Sequence, residues 1–260
     1  MLLIAPGVTL ANTDAHCLQI ETLFATNKIE ALSNQVYETP RAIAHQSFRL
    51  AAAYIPADEK QLAIGAIRQG LKAIEKGLEN NPEDVDLLLL GAMLDGQWLL
   101  INRWRFFFNG RRGLQRLSKA EGLNANHPHV TLLRGTAKII LPRILGGNRG
   151  EARNMFETAL NHHDTTGVPF RKSKLCVNIN GVPIWGQVDL LNWLGRAHAG
   201  LDQPHEAKLA YKEALGRSPD NHWVKLAIAG QGYNWTEVED TKATTEIEQT
   251  SRHLLPDSHP

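Results

Sequence analysis

The chain has 260 residues, enough for one large domain, two small ones or one elongated array of repeats. Hydrophobic residues make up 43% of the chain and charged residues 21%, so most of it can bury a core. The net charge of +1 argues against a general nucleic-acid binder, which needs a surplus of lysine and arginine, and two cysteines are too few for a zinc-binding cysteine motif.

The N-terminal segment, residues 1–15, begins with a short apolar run that ends in small residues. Thr9 and Ala11 stand at the −3 and −1 positions of a signal-peptidase site, although the usual positively charged start is missing. We expect a periplasmic or secreted protein, with a cytoplasmic protein that packs this segment as a first helix as the alternative. Cys17 and Cys176 then either form a disulfide after export or remain two buried thiols.

Apolar periodicity and breaker residues predict an all-α chain. The predicted helices span residues 14–35, 41–55, 59–80, 84–106, 111–123, 128–145, 148–162, 187–200, 203–217 and 220–229. The most apolar of these segments is 85–101, and it contains Asp95 and Gln97 and is too short to span a membrane. We therefore predict no transmembrane segment.

One segment, Asp189 to Asn221, resembles the tetratricopeptide repeat (TPR) without gaps from Gly195 onward. Its matching positions are Leu194, Gly195, Ala207, Tyr211, Ala214, Leu215, Pro219 and Asn221. Small residues at Gly195 and Ala207 allow the two helices to cross closely, and Pro219 ends the second helix. We expect Tyr211 to fill the gap between this unit and its neighbour.

The other copies of the pattern are irregular. The second copy holds Gly135 in its first helix and Ala152, Phe156 and Leu160 in its second, with about five extra residues near Pro142 between them. The third copy is blurred and covers residues 66–123. We predict a TPR-like solenoid of four to five helix pairs over residues 16–229, followed by a loosely ordered polar tail, 230–260.

The order of these segments is similar to that of a bacterial group of TPR proteins of unassigned role. The matching segments are Leu87–Trp98, Gly110–Leu123, Leu132–Gly147, Trp185-Gly186 and Trp223–Lys225. The resemblance covers residues 45–228 and implies the fold but no activity. The chain is more loosely similar to the periplasmic TPR component of TRAP-type transporters, which implies a place beside a solute-binding protein.

Two segments depart from the repeat. Residues 161–186 form an insertion in which Asn180-Gly181 predicts a small hairpin, either a contact finger or a flap packed on the solenoid. Residues 102–116 place arginines among four aromatic residues, which suits either contact with an anionic group or a solvated loop. The arginines singled out as candidate contacts are Arg103, Arg105, Arg111 and Arg112.

The concave face of a helical solenoid is lined by the first helices of its pairs. By analogy with repeats that bind peptides, this places Asp189, Asn192 and Arg196 on that face. The corresponding positions in the other pairs are Leu88, Ala92, Asp95, His129, Leu132 and Thr136. This mixture of polar and apolar side chains suits an extended peptide or a helix from a partner protein.

The sequence lacks the catalytic and phosphate-binding motifs with which we compared it, and its histidines lack zinc-site spacing. We therefore expect a non-catalytic scaffold that binds a protein partner, without cofactor, metal or nucleic acid. The alternative is an accessory component of a solute-uptake system that binds a small molecule. A closed, polar-lined cavity between helices favours the alternative, and an open groove favours the scaffold.

Overall fold

A computed structural model describes residues 11–101, 109–125, 127–141, 143, 146–166 and 186–229. Within these residues the chain forms eleven α-helices. They are α1 (Ala11–Ala25), α2 (Ile29–Ser33), α3 (Pro40–Tyr54), α4 (Lys60–Asn80), α5 (Val85–Ile101), α6 (Arg111–Leu123), α7 (Pro128–Ile140), α8 (Arg149–Thr166), α9 (Gln187–Ala199), α10 (Pro204–Arg217) and α11 (His222–Ile228). The all-α class predicted from the sequence is confirmed.

Local sequence fixes several helix ends. The side chain of Thr39 accepts a hydrogen bond from the backbone N–H of Ala42 at the start of α3, and Asn221 does the same for α11. Both residues are of the types that satisfy the free N–H groups of a first helical turn. Pro40 and Pro204 occupy first-turn positions, where proline costs no hydrogen bond.

Consecutive helices pack as antiparallel pairs, α3 with α4, α5 with α6, α7 with α8 and α9 with α10. The buried side chains of α1 to α5 form one core, and those of α7 to α11 form a second. A smaller cluster from α5, α6 and α7 joins them, with Leu89 and Val130 at its centre. This is the architecture expected of stacked TPR-like pairs.

The sharp repeat packs an aromatic ring on a glycine. Any Cβ added to Gly195 in α9 would overlap the ring of Tyr211 in α10, and any Cβ on Gly135 in α7 would overlap the ring of Phe156 in α8. Tyr211 therefore packs against the first helix of its own pair, and its filling of the gap between neighbouring pairs remains a prediction. The equivalent Phe156 contact identifies the stretched copy as a second unit of the same construction.

The extra residues of the stretched copy lie after α7. That helix was expected to reach residue 145, but it ends at Ile140, and Leu141 has extended backbone angles. The residue before a proline is pushed out of helical conformation, and Pro142 follows at this point. The extension is therefore absorbed by the connection to α8, and the helix pair itself is retained.

Two other predicted boundaries differ. The single helix predicted over 14–35 is broken at Asn27, which adopts a left-handed φ of 56° between α1 and α2. The insertion predicted to begin at residue 161 begins later, because α8 continues to Thr166. The predicted hairpin, the polar tail and the first ten residues lie outside the described residues. No helix in the described part of the chain is both long and apolar enough to cross a membrane.

Candidate functional site

The N-terminal helix α1 and the C-terminal helix α11 are in contact. The ring of Trp223 in α11 stacks on that of Phe24 in α1, with centroids 4.9 Å apart. The indole N–H of Trp223 donates to the backbone oxygen of Phe24 at 2.9 Å. These residues are 199 positions apart in sequence, so the contact joins the two ends of the solenoid.

Arg49 in α3 makes the second connection between the ends. Its guanidinium donates to Glu21 in α1 through Nε and Nη2, both at 2.7 Å. It also donates to both carboxylate oxygens of Asp189 in α9, at 3.1 and 2.6 Å. Arg49 thus holds two carboxylates from opposite ends of the chain, in the two-point geometry that suits a guanidinium.

The charges in this cluster are shifted in favour of the ionised forms. Burial by itself raises the pKa of Glu21, but the charge of Arg49 and the hydrogen bonds from His45 and Arg49 bring that pKa below its ordinary value. Burial likewise acts to lower the pKa of Arg49, and the carboxylates of Asp189 and Glu21 outweigh it and raise the pKa. The cluster is therefore a buried ion pair that is charged at neutral pH.

Cys17 extends this cluster along α1. Its Sγ lies 3.4 Å from Nδ1 of His45, and Nε2 of the same ring lies 2.6 Å from a carboxylate oxygen of Glu21. Cys17 is disulfide-bonded. The chain's other cysteine, Cys176, lies outside the described residues.

A cavity of about 220 Å³ lies behind these contacts, and we call it the central cleft. It is bounded by α3, α5, α6, α7, α9 and α11 and by the end of α1. Its walls are mainly apolar, formed among others by Phe48, Met93, Leu100, Leu133, Ile140, Trp193 and Trp223. The cleft combines an apolar body with few polar groups, which is the usual composition of a ligand-binding cavity.

Six polar side chains line the central cleft among the described residues, and they are Arg49, Gln97, Thr136, Asp189, Asn192 and Arg196. Arg49 and Asp189 are paired with each other. Arg196 stacks over Trp193, with its guanidinium carbon 5.6 Å from the ring centroid. The two amide side chains differ, because each keeps one oxygen without a hydrogen-bond partner in the described part of the chain, Oε1 in Gln97 and Oδ1 in Asn192.

The candidate residues predicted from the sequence fall into three groups: residues that line the central cleft, residues that are buried elsewhere, and the arginines of the basic segment. Asp189, Asn192 and Arg196 all line the central cleft, and so do Ala92, Leu132 and Thr136. Their placement on one face follows from the helical spacing of each segment. Leu88, in contrast, is buried in the cluster between α5, α6 and α7.

Asp95 and His129 are not among the described residues that line the central cleft. The Asp95 carboxylate is fully buried and accepts hydrogen bonds from Arg112 Nε at 2.9 Å and Arg116 Nη1 at 2.6 Å. His129 is 1% exposed. The solenoid interpretation placed both on the concave face. Asp95 instead joins α5 to α6 through Arg112 and Arg116, and the His129 side chain is buried.

The basic segment is only partly described. Arg112 forms a salt bridge with Asp95, and Arg111 is exposed at the start of α6. Arg103 and Arg105 lie outside the described residues. Arg112 thus has a structural partner, and contact of the segment with an anionic group remains a prediction.

Sequence reasoning missed Arg49, Glu21 and Gln97. A signal was present for the first two, because His45 and Arg49 are four residues apart on an otherwise buried face of α3, as Cys17 and Glu21 are on α1. Two polar pairs with this spacing on apolar faces indicate an internal polar cluster. Gln97 is marked only as a polar residue within the most apolar predicted helix, and its position on the cleft depends on how α5 packs.

No protein-family model and no curated protein matches the chain. Among solved structures, it is similar to a thermophilic TPR protein from Thermus thermophilus, at 15% identity and a TM-score of 0.50, with 85% of this chain and 98% of the other covered. It is also similar to the HusA haemophore from Porphyromonas gingivalis, at 15% identity and a TM-score of 0.51, with 75% of this chain and 96% of the other covered. At this identity the similarity supports the TPR-like helical fold alone, and neither structure is a TRAP-transporter component.

Proposed function

We propose that this chain is a non-catalytic binding protein that holds a small, mainly apolar molecule in the central cleft. The observation that carries the proposal is the cleft itself, an apolar space of about 220 Å³ bounded by both ends of the solenoid. An apolar cavity of about 150 Å³ is enough to bind benzene in a protein interior. The space therefore suits one small ring or a branched alkyl group.

The closure of the array favours a small molecule over a long peptide. Arg49 bridges to Asp189, and Trp223 stacks on Phe24, so the N-terminal and C-terminal helices touch where an open solenoid would leave its groove free. The sequence led us to expect a closed, polar-lined cavity between helices if the chain binds a small molecule. The central cleft is bounded by helices, in agreement with that expectation, but its lining is mostly apolar.

One structural neighbour is named a haemophore, which makes a ligand-carrying role compatible with this fold. We do not propose that this chain binds haem. Among the described lining residues, Met93 is the one side chain of a type that commonly ligates haem iron. The supporting observation is thus the apolar cavity, and the neighbour contributes only the fold.

The test is a titration of the full chain with toluene, followed by nuclear magnetic resonance. We expect saturable shifts confined to residues of the cleft. Ala137→Phe, on α7, places a ring in the cleft and should abolish the shifts, while Ala199→Phe, at the exposed end of α9, should leave them unchanged. Unsaturable or scattered shifts in the unmodified protein would contradict the proposal.

A protein partner is the second candidate, favoured by the alignment of Asp189, Asn192 and Arg196 along one face of α9. In this case a partner inserts an apolar side chain into the cleft and places polar groups against that face. The Asn192→Ala, Arg196→Ala double variant should then lose a partner that co-purifies with the native protein. If capture is unchanged, this second candidate is wrong.

We further infer export from the cell, because Cys17 is disulfide-bonded and structural disulfides persist in oxidising compartments. Cys176 is the other cysteine of this sequence, so we propose it as the partner of Cys17 in an intrachain disulfide. Alkylation in intact cells followed by non-reducing peptide mass spectrometry should find both thiols blocked and a linked peptide pair. Recovery of both cysteines as alkylated free thiols would remove this argument for export.

A further inference from the structure

We propose that the ligand of the central cleft carries a hydrogen-bond donor, as an amine or alcohol does, and that Gln97 and Asn192 accept from it. This inference rests on the proposed small-molecule function and names the chemical class of its ligand. It starts from two amide side chains that line the cleft, Gln97 and Asn192, whose oxygens Oε1 and Oδ1 are buried without a donor in the described part of the chain.

The orientation of Gln97 is set by its nitrogen. Nε2 donates to the backbone oxygen of Phe48 in α3 at 3.0 Å, so the amide oxygen is the end left unpaired. The Gln97 residue is 6% exposed. A buried amide oxygen without a donor is destabilising, and the great majority of buried polar groups in proteins are paired. A ligand that donates to this oxygen relieves that cost, which adds to its affinity.

Asn192 supplies the second acceptor from another helix of the cleft. It lies on α9, between Asp189 and Arg196, while Gln97 lies on α5. Its Oδ1 is also buried and unpaired within the described chain. The two acceptors therefore come from two different helices that line the same apolar space, and a donor group attached to an apolar body can reach either one.

The remaining polar groups of the cleft do not favour an anion. Arg49 is already bound by two carboxylates, Glu21 and Asp189, so its charge is neutralised. The Asp189 carboxylate itself adds acceptor oxygens to the cleft wall. Arg196 is the one group that favours a carboxylate ligand, and it is stacked on Trp193 and has further contacts. The cleft therefore offers unpaired hydrogen-bond acceptors, and these favour a ligand that donates hydrogen bonds.

The experiment compares four probes that share one ring, namely toluene, benzyl alcohol, aniline and benzoate, each titrated into the full chain at pH 7.5. Toluene measures whether the apolar cleft binds at all, so its failure would overturn the proposed function and this inference with it. If toluene binds, benzyl alcohol or aniline, both uncharged at this pH, should bind about three- to tenfold more tightly, as expected for one added hydrogen bond. Benzoate should gain nothing.

A matched pair of variants assigns the preference to the amide. Asn192→Leu has nearly the same shape and lacks the acceptor, so it should bind toluene at least as well and lose most of the preference for the donor-bearing probes. Asn154→Leu, on the exposed face of α8 and away from the cleft, should keep that preference. Gln97→Met should reduce it too, although this change also removes the bond to Phe48.

Two results would overturn the inference while leaving the proposed function intact. In one, benzoate binds most tightly and Arg196→Met removes that advantage, which would make the cleft an anion site. In the other, all four probes bind within a factor of about two, or Asn192→Leu keeps the full donor preference. The first result reverses the class of ligand, and the second shows that the amides do not contact it.

Discussion

The helix pairs α5/α6 and α9/α10 occupy equivalent places in the array but are packed by different chemistry. In α9/α10 the ring of Tyr211 lies on Gly195. In α5/α6 the equivalent glycine is Gly91, and the side chain of Arg116 crosses it instead. The Arg116 guanidinium continues to the buried Asp95, one helical turn beyond Gly91.

This difference extends to the two halves of the molecule. The C-terminal half uses rings on glycines in both α7/α8 and α9/α10. The N-terminal half contains the buried charges of Glu21, Arg49 and Asp95. A ring on a glycine loses only packing when it is changed, whereas a buried charge that loses its partner also keeps a large desolvation cost. The same helix-pair geometry is thus packed by aromatic rings in one half and by buried charges in the other. The two kinds of packing differ in their sensitivity to mutation and to pH.

The largest effect is expected at Arg49. Arg49→Met leaves the carboxylate of Glu21 buried without its main partner and breaks the bridge to Asp189, which should lower the free energy of unfolding by about 4 kcal/mol. Urea denaturation measures this change. Arg153→Met is the control, since Arg153 pairs with Glu157 at 3.8 Å on the surface, and it should cost less than about 0.5 kcal/mol. Equal effects would mean that the Arg49 cluster does not stabilise the fold.

Asp95 tests the charged helix pair itself. Asp95→Asn keeps the shape but leaves Arg116, whose pKa is already lowered chiefly by burial, without its carboxylate. We expect a loss of about 3 kcal/mol in the free energy of unfolding. Asp58→Asn, at an exposed pair with Lys60, should change it by less than about 0.5 kcal/mol. A neutral Asp95→Asn would remove the contrast between the two helix pairs.

Gly195 tests the ring-on-glycine pair. Gly195→Ala forces the ring of Tyr211 aside, and overpacking of this kind outweighs the gain in helix propensity by about 1 to 2 kcal/mol. Gly216→Ala, in α10, has no neighbouring atom within 4 Å and should stabilise the protein by about 0.5 to 1 kcal/mol. Thermal unfolding of both variants measures the difference. If both substitutions stabilise, Tyr211 does not require the glycine.

A separate effect is a pH dependence from His129. Burial, and then the charges of His127, His45 and Arg49, hold the pKa of His129 well below its ordinary value of 6.5. The unfolded chain takes up a proton at this residue below pH 6.5 and the folded chain does not, so stability falls as the pH drops, by at most about 1.4 kcal/mol per unit.

Urea denaturation of the unmodified protein and of His129→Leu between pH 7.5 and 5 measures this dependence. The variant should have the shallower pH profile, because leucine binds no proton. The comparison uses the slope of each profile, so a change in absolute stability from the new side chain does not affect it. Identical slopes would show that His129 titrates normally in the folded protein.

Part of the candidate site was predictable and part was not. The helical spacing of Asp189, Asn192 and Arg196 places them on one face, and all three line the central cleft. Asp95 was assigned to the same face by repeat position, but it is buried because Arg112 and Arg116 from α6 approach it. A repeat pattern specifies the face of a helix in an ideal stack, and it does not specify what the neighbouring helix places there.

The sequence by itself determined the helices and their pairing, because apolar periodicity, prolines and the glycine-aromatic pattern act over short distances along the chain. Only the tertiary structure decided that the two ends of the array touch, that Arg49 joins Glu21 to Asp189, and that Gln97 and Asn192 line one cleft. Those contacts link residues up to 199 positions apart, and each depends on small displacements summed over several helix pairs. No local pattern in the sequence encodes that sum.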